Sequence, residues 1–418
     1  MTPTDAISTP RPARRHSASP APTLPPAAKW VSLALGAALV LGAAAIAGGA
    51  ERSLRAPAET EGLGAGASRA VSVPPAMAAA SAPTAAVMSA ATAEPTATTP
   101  ATITIAAVGD LLFDSRPRRM IDAKGPATPL AKVAGLLKSA DLTIANLEST
   151  LSNRGAPVLG KPASLIFNGN PKGVLTLTSA GIDVVSNANN HAMDHGRIAL
   201  SDTIAALDKA GIKHAGAGLN TTKAWAPAYL VVKGRRVAYL AATEVVPAHF
   251  LPSSTRAGVA DGHDLKRLIA TVKAARKKAD IVIVSMHWGV ERSYAADARQ
   301  KHDARALIDA GADLVLAHHP HVLQGIDTYK GKLIAYSLGN FMFPYKSASG
   351  RESFILRFDY GPKGATNITA VPVYLGAWGE PVVQTGARAR TILNRLAAAS
   401  KSMGTKVTIK NSVGYIRP

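Results

Sequence analysis

The chain has 418 residues, enough for one large domain with appendages, and a formal net charge of +20 from 47 Lys and Arg against 27 Asp and Glu. It contains no cysteine, which excludes disulfide staples, thiolate metal sites and a cysteine nucleophile. A basic surface attracts polyanions and anionic membranes, although simple solvation explains scattered charges such as Lys266, Arg267, Lys273 and Arg276 as well.

Residues 1–29 are polar, proline-rich and basic, with Arg11, Arg14, Arg15 and Lys29, and read as a cytoplasmic tail. The uncharged apolar run 30–50 has about the length a bilayer crossing needs. Basic residues before it predict an inside N-terminus and an outside remainder. The run is long for a signal core, which favours an uncleaved anchor over a signal peptide cut after Gly48-Gly49-Ala50. Either way the rest of the chain is expected outside the cytoplasm, at the cell membrane. Residues 51–100 are Ala, Pro, Thr and Ser with few large apolar side chains, so they read as a disordered tether.

From residue 101 the pattern changes. Apolar bursts rich in Ile and Val stand at 103–108, 141–146, 183–188, 237–242, 280–286, 313–318 and 333–338. Helix-like stretches ending in Gly separate several of them, as at Gly181, Gly211 and Gly311. Strand–helix alternation of this kind predicts an α/β domain over 101–376. Residues 377–418 read as a C-terminal extension packing on it, with a helix over 387–399 and a final strand.

The bursts run into chemically useful residues: Asp110, then Asn146 and Glu148, then Asn190 and His191, then His287, then His319 and His321, then Asn340. In α/β sheets the carboxyl ends of strands form the ligand crevice. Carboxylates, an amide oxygen and imidazoles meeting there would suit Mn, Fe or Zn better than Ca. Singly, each has a plain reading: a turn or cap for Asp110 and Asn190, a solvated acid for Glu148, a packed core ring for His287. Alternate residues of an extended segment face opposite ways, so His319 and His321 share a centre only if Pro320 re-aims the loop. Arg116, Arg118 and Arg119 follow the Asp110 loop, where they read as a solvated helix start or as contacts to an anion. There is neither a nucleophile elbow nor a P-loop.

The blocks Gly109-Asp110, Asn146-Leu147-Glu148, Asn189-Asn190-His191 with Asp194 and Gly196, His287-Trp288-Gly289 with Glu291, His319-Pro320-His321-Val322 and Tyr336 to Phe341 carry a family resemblance. Together they resemble the CapA-type poly-γ-glutamate capsule synthesis proteins, within the calcineurin-like metallophosphoesterases. The resemblance implies a four-layer α/β/β/α sandwich of the metallophosphoesterase type with a divalent-metal site, of one or two ions, at its strand ends. It implies Asp110, Glu148, Asn190, His287, His319 and His321 as metal ligands. His191 would be the proton donor to the leaving oxygen, with Asp194 orienting it or else capping the next helix. Asn146, Glu291 and Asn340 would lie toward substrate. Where the superfamily has Asp-x-His, this chain has Asp110-Leu111-Leu112, and Asn-Leu-Glu stands where Gly-Asp is usual. The expected activity is metal-dependent phosphoric ester hydrolysis, with an anionic polymer such as poly-γ-glutamate and other capsule-synthesis subunits as partners and no nucleic acid. A non-catalytic scaffold or polymer-binding subunit is the rival reading.

Overall fold

A computed structural model describes residues 100–417. The expected tail, the apolar run 30–50 and the tether apart from Pro100 lie outside the described residues. Among the described residues, no helix is long and apolar enough to cross a membrane.

The first third of the fold runs β1 (Ile103–Leu111), α1 (Ser115–Lys124), α2 (Ala134–Lys138), β2 (Leu142–Leu147), α3 (Gly173–Ala180), β3 (Val184–Ser186), α4 (Gly196–Lys209) and β4 (Lys213–Ala215). Next come β5 (Ala217–Gly218), α5 (Thr221–Ala224), β6 (Ala228–Val232), β7 (Arg235–Thr243), β8 (Gly258–Val259), α6 (Leu265–Arg276), β9 (Ile281–His287), α7 (Ala298–Asp309) and β10 (Leu314–His318). The chain continues through β11 (Ile326–Tyr329), β12 (Lys332–Ala335), β13 (Asn340–Met342), β14 (Glu352–Gly361) and β15 (Gly364–Leu375). It closes with β16 (Pro381–Val383), α8 (Gly386–Lys401), β17 (Lys406–Lys410) and β18 (Val413–Arg417). Each of the seven apolar bursts lies on one of these strands.

Two mixed sheets hold most of the strands, with β5 and β8 forming a separate antiparallel pair. One follows the order β17-β18-β15-β14-β1-β2-β3-β4, with β13 also on β1 and β16 on β15; the other is β11-β12-β10-β9-β7-β6. Strands β1 to β4 are mutually parallel, as are β7, β9, β10 and β12. Alternation along each strand explains the layering. Ile103, Ile105 and Ala107 of β1 face Val237 and Tyr239 of β7, Ile281 and Ile283 of β9, and Leu314 and Leu316 of β10 across a shared core. The residues between them face outward. Ala106 and Val108 pack with Leu137, Leu177 and Leu207 of the helices on one side. Val282, Val284 and Val315 pack with Leu268, Val272 and Leu307 on the other.

The segment after Gly376 is built into this body. Strand β16 pairs with β15, β17 and β18 extend the larger sheet, and Ile392, Leu393 and Leu396 of α8 lie in the core between the sheets. At the other end of that core, Gly109 has no room for a side chain: a Cβ there would lie 1.8 Å from the Gly339 carbonyl oxygen. This close approach lets the Asp110 amide donate to Gly339 at 3.0 Å and sets Asp110 beside Asn340.

Candidate metal centre

The pairing registers bring the chemistry together. Asp110 at the end of β1 is the register partner of Asn146 on β2 and of Asn340 on β13. On the other sheet, His287 closes β9 opposite His318, which closes β10. Both histidines continue the inward-facing series of their strands, so the two sheets present carboxylates and imidazoles to each other where the apolar core stops. Glu148, one residue past β2, is tied by its amide to the Leu111 carbonyl at 2.9 Å. Asp110, Glu148 and His287 are buried, and each offers one ligand atom within 4.8 Å of the others.

Three more expected ligands reach this cluster. Asn190 Oδ1 lies 2.8 Å from His287 Nε2. His321 places Nδ1 3.4 Å from Asp110 Oδ2 and Nε2 3.6 Å from Glu148 Oε1. The His319 ring sits 4.8 Å from that of His287 and 5.9 Å from that of His321, centroid to centroid. Both His319 and His321 adopt left-handed backbone, at φ of 95° and 55°. The strand alternation that would send them to opposite faces is broken at each; the His321 ring meets the carboxylates and the His319 ring lies beside that of His287.

A divalent cation fits these residues. Asp110 Oδ2 and Glu148 Oε1 are buried with no hydrogen-bond partner, a condition that costs free energy unless something positive fills the space. Two carboxylates, imidazoles and one amide oxygen make a donor set for Mn, Fe or Zn. The proton distribution tells the same story. Burial pushes the Asp110 carboxyl up, but the adjoining His318 and His321 outweigh it and hold the group well below its ordinary value. Burial, reinforced by the charge of Asp110, pushes Glu148 well above. Burial lowers His287 well below its usual value, and lowers His319 to about 3, with neighbouring histidines adding to both. His321 rises to about 9, because Glu148 and Asp110 together overcome its burial. A protonated His321 thus sets a positive charge beside these carboxylates where a dication would bring its own, and binding would release that proton.

Beside the centre stands His191, with Nε2 3.9 Å from Glu148 Oε1. Its Nδ1 lies 2.7 Å from Asp194 Oδ2. The other oxygen of Asp194 accepts from Lys161 at 2.5 Å, and Oδ2 also accepts from the Phe167 amide at 2.8 Å. The Phe167 ring stacks on the imidazole at 4.2 Å. Burial lowers the His191 pKa, with Asp194 opposing the shift. Asp194 is therefore an orienting group for His191 and no helix cap: α4 begins after His195 with no side-chain cap.

Two of the expected substrate contacts, Asn146 and Asn340, need correction. Asn146 is fully buried, its amide donating to Asp110 and Glu148 at 2.9 and 3.1 Å and its carbonyl accepting from Asn189 at 3.1 Å. Asn340 is fully buried and bonds His321 Nδ1 at 2.8 Å and the Gly350 carbonyl at 2.8 Å. Both amides are taken up by residues of the cluster, with no face left for a substrate. Glu291 is exposed and, among the described contacts, makes no hydrogen bond or ion pair with His287 or the rest of the cluster. Arg116 and Arg118 turn away as well, bracing the Ala377 and Asn168 carbonyls at 2.6 and 2.8 Å.

Sequence reasoning passed over His318, whose Nδ1 is 3.2 Å from Asp110 Oδ1; counting by twos from Leu314 would have found it. It also missed Lys161 and Phe167, which lie in an irregular loop where no periodicity marks them.

Fold and site together define a mixed α/β protein with a buried carboxylate–histidine centre of metal-binding composition. The chain belongs to the family of bacterial capsule synthesis proteins PGA_cap, whose family model matches residues 104–345. It is 31% identical over 296 residues to the PGA biosynthesis protein CapA of Bacillus subtilis, covering 70% of this chain and 77% of that one. It is 30% identical over 306 residues to the capsule biosynthesis protein CapA of Bacillus anthracis, covering 72% and 74%. Among solved structures, a hypothetical protein from Thermus thermophilus aligns with a TM-score of 0.41 at 18% identity, over 65% of this chain and 98% of that one.

Proposed function

We propose that this protein is a divalent-metal-dependent phosphoric ester hydrolase with the four-layer metallophosphoesterase architecture, serving poly-γ-glutamate capsule synthesis. The carrying observation is the pair of buried, unpartnered carboxylate oxygens, Asp110 Oδ2 and Glu148 Oε1, facing His287 and flanked by His191. Family membership and the two CapA relatives support the biological process. The basic N-terminal tail and the apolar run 30–50 support a domain held outside the cytoplasm on a membrane anchor.

Asp110, Glu148, Asn190, His287, His319 and His321 would hold the ion or ions, with His318 and Asn340 steadying Asp110 and His321. When bound, such an ion supplies Lewis-acid polarisation of a phosphoryl oxygen. The chain supplies the rest. Asp194 occupies Nδ1 of His191, so Nε2 is the nitrogen left to give a proton to the departing oxygen. Lys161 and the stacked Phe167 keep that ring from turning.

The test is metal content and turnover of phosphomonoesters and phosphodiesters by the full chain against His191→Ala. The variant should retain metal and lose roughly 10²–10⁴ in kcat. Metal retained by both proteins, with no ester turned over by either, would instead favour a non-catalytic scaffold in a polymer-synthesising complex. One observation supports that second reading: Leu112, two residues after Asp110, is 1% exposed and packed against the helices, so this strand end brings no imidazole of its own.

A further inference from the structure

Two pockets flank the centre, and their chemistry differs. On the Asn190 side a pocket of about 450 Å³ is walled by Val158, Lys161, Val246, Pro247 and Phe250 among others. Its lysine is already engaged by Asp194 and the Asn190 carbonyl. On the His321 side a pocket of about 410 Å³ lies between the loop after β9 and the loop after β13, lined by Arg292, Pro344, Tyr345, Lys346 and Ser347.

The second pocket is joined to the centre from both walls. The Arg292 amide donates to the Pro320 carbonyl at 2.7 Å, which ties that loop to the middle of the His319-Pro320-His321 turn. The rings of Phe343 and Tyr345 lie 5.0 and 5.6 Å from that of His321. Arg292 and Lys346 are exposed, and among the described residues neither side chain makes a hydrogen bond or ion pair. Glu291 is the nearby acid, and it does not pair with Arg292. A concave surface that holds a guanidinium and an ammonium without acid partners is a receptor for an anion, and the arginine fork matches a carboxylate in two hydrogen bonds.

We propose that this pocket is an anion subsite that takes a carboxylate of the substrate while its phosphoryl group occupies the adjoining cation centre. The proposal rests on the phosphoesterase reading and narrows it to esters that carry a second negative group. A substrate with its phosphate at the ligands and its carboxylate between Arg292 and Lys346 would lie across the His321 ring.

The experiment compares O-phosphoserine with phosphoethanolamine, which lacks the carboxylate, using the manganese-loaded full chain and the Arg292→Gln, Lys346→Gln and double variants. KM for O-phosphoserine should rise about tenfold for each lost charge-assisted contact, with kcat and the phosphoethanolamine constants unchanged. Equal changes on both esters, or none on either, would overturn the subsite. Succinate and inorganic phosphate as inhibitors separate the two anion classes: the double variant should relieve inhibition by succinate, and relief from phosphate alone would refute a carboxylate subsite. If wild type hydrolyses neither ester, the phosphoesterase reading is what has failed. The subsite is then judged by calorimetric titration of a γ-glutamyl oligomer. Heat lost in the double variant supports it; equal heat in both proteins sinks it.

Discussion

Glu148→Gln separates two opposing roles of one side chain. Without metal, Glu148 is a fully buried carboxyl beside Asp110, with Oε1 unpartnered. Burial and Asp110 raise its folded pKa above the ordinary value of 4.5. The unfolded chain releases this proton near 4.5 while the native state keeps it, so the native state loses stability as pH climbs from there toward the raised pKa. Glutamine cannot ionise. Metal-free E148Q should therefore equal or exceed wild type near pH 8 and lack that part of the pH-dependent loss. With metal the order reverses. An ion at a hundredfold excess over its Kd stabilises the native state by about 2.7 kcal/mol, or roughly 4 °C in Tm at about 1.5 °C per kcal/mol for a domain of this length. The substitution removes one of the two carboxylates in the cluster and halves the formal negative charge facing a dication. A hundredfold weaker site leaves the ion near its Kd, worth about 0.4 kcal/mol, a shift of less than about 1 °C. Scanning calorimetry of chelator-stripped and manganese-loaded protein near pH 6 and pH 8 reads both effects. A stripped variant several degrees less stable than stripped wild type, or one that keeps the full manganese shift, would refute the reasoning.

Asn340→Ala removes the acceptor that fixes His321 Nδ1 and should weaken metal binding about 10–100-fold, measured by competition with a fluorescent chelator. Because His321 carries its proton up to about 9, metal binding must displace it; affinity should rise with pH toward that value, with proton release visible in titrations in buffers of different ionisation enthalpy. Asp194→Asn withdraws the group that opposes the burial-driven fall of the His191 pKa, so the alkaline loss of kcat should move to lower pH, and an unmoved limb would remove His191 from the acid role. Leu316→Ala, in the core between the sheets, should cost about 2–5 kcal/mol in chemical denaturation while leaving metal affinity unchanged.

Much of the fold was legible locally. The seven apolar bursts mark strands because Ile and Val at alternating spacing suit a pleated, buried surface whatever lies elsewhere in the chain. The helix over 387–399 was visible for the same kind of reason, and it spans Gly386–Lys401. The place of α8 was not visible: Ile392, Leu393 and Leu396 read as a helix face, and only the assembled sheets show that this face fills the gap between them. The long antiparallel pair β14 and β15 joins strands whose partners lie far along the chain in β1 and β18, and such pairings leave no local mark.

By itself the sequence determined the α/β alternation, the family and the strand ends at which chemistry could gather, since these depend on residue type and spacing. Tertiary structure decided which polar residues would face one another. Asn146 and Asn340 became buried braces because the register sets both beside Asp110, and His319 and His321 share a centre because the backbone turns left-handed at each. Lys161 and Phe167 secure His191 from a loop without periodicity. Orientation and desolvation are properties of the packed chain, so a side chain's role stays open until its neighbours are in place.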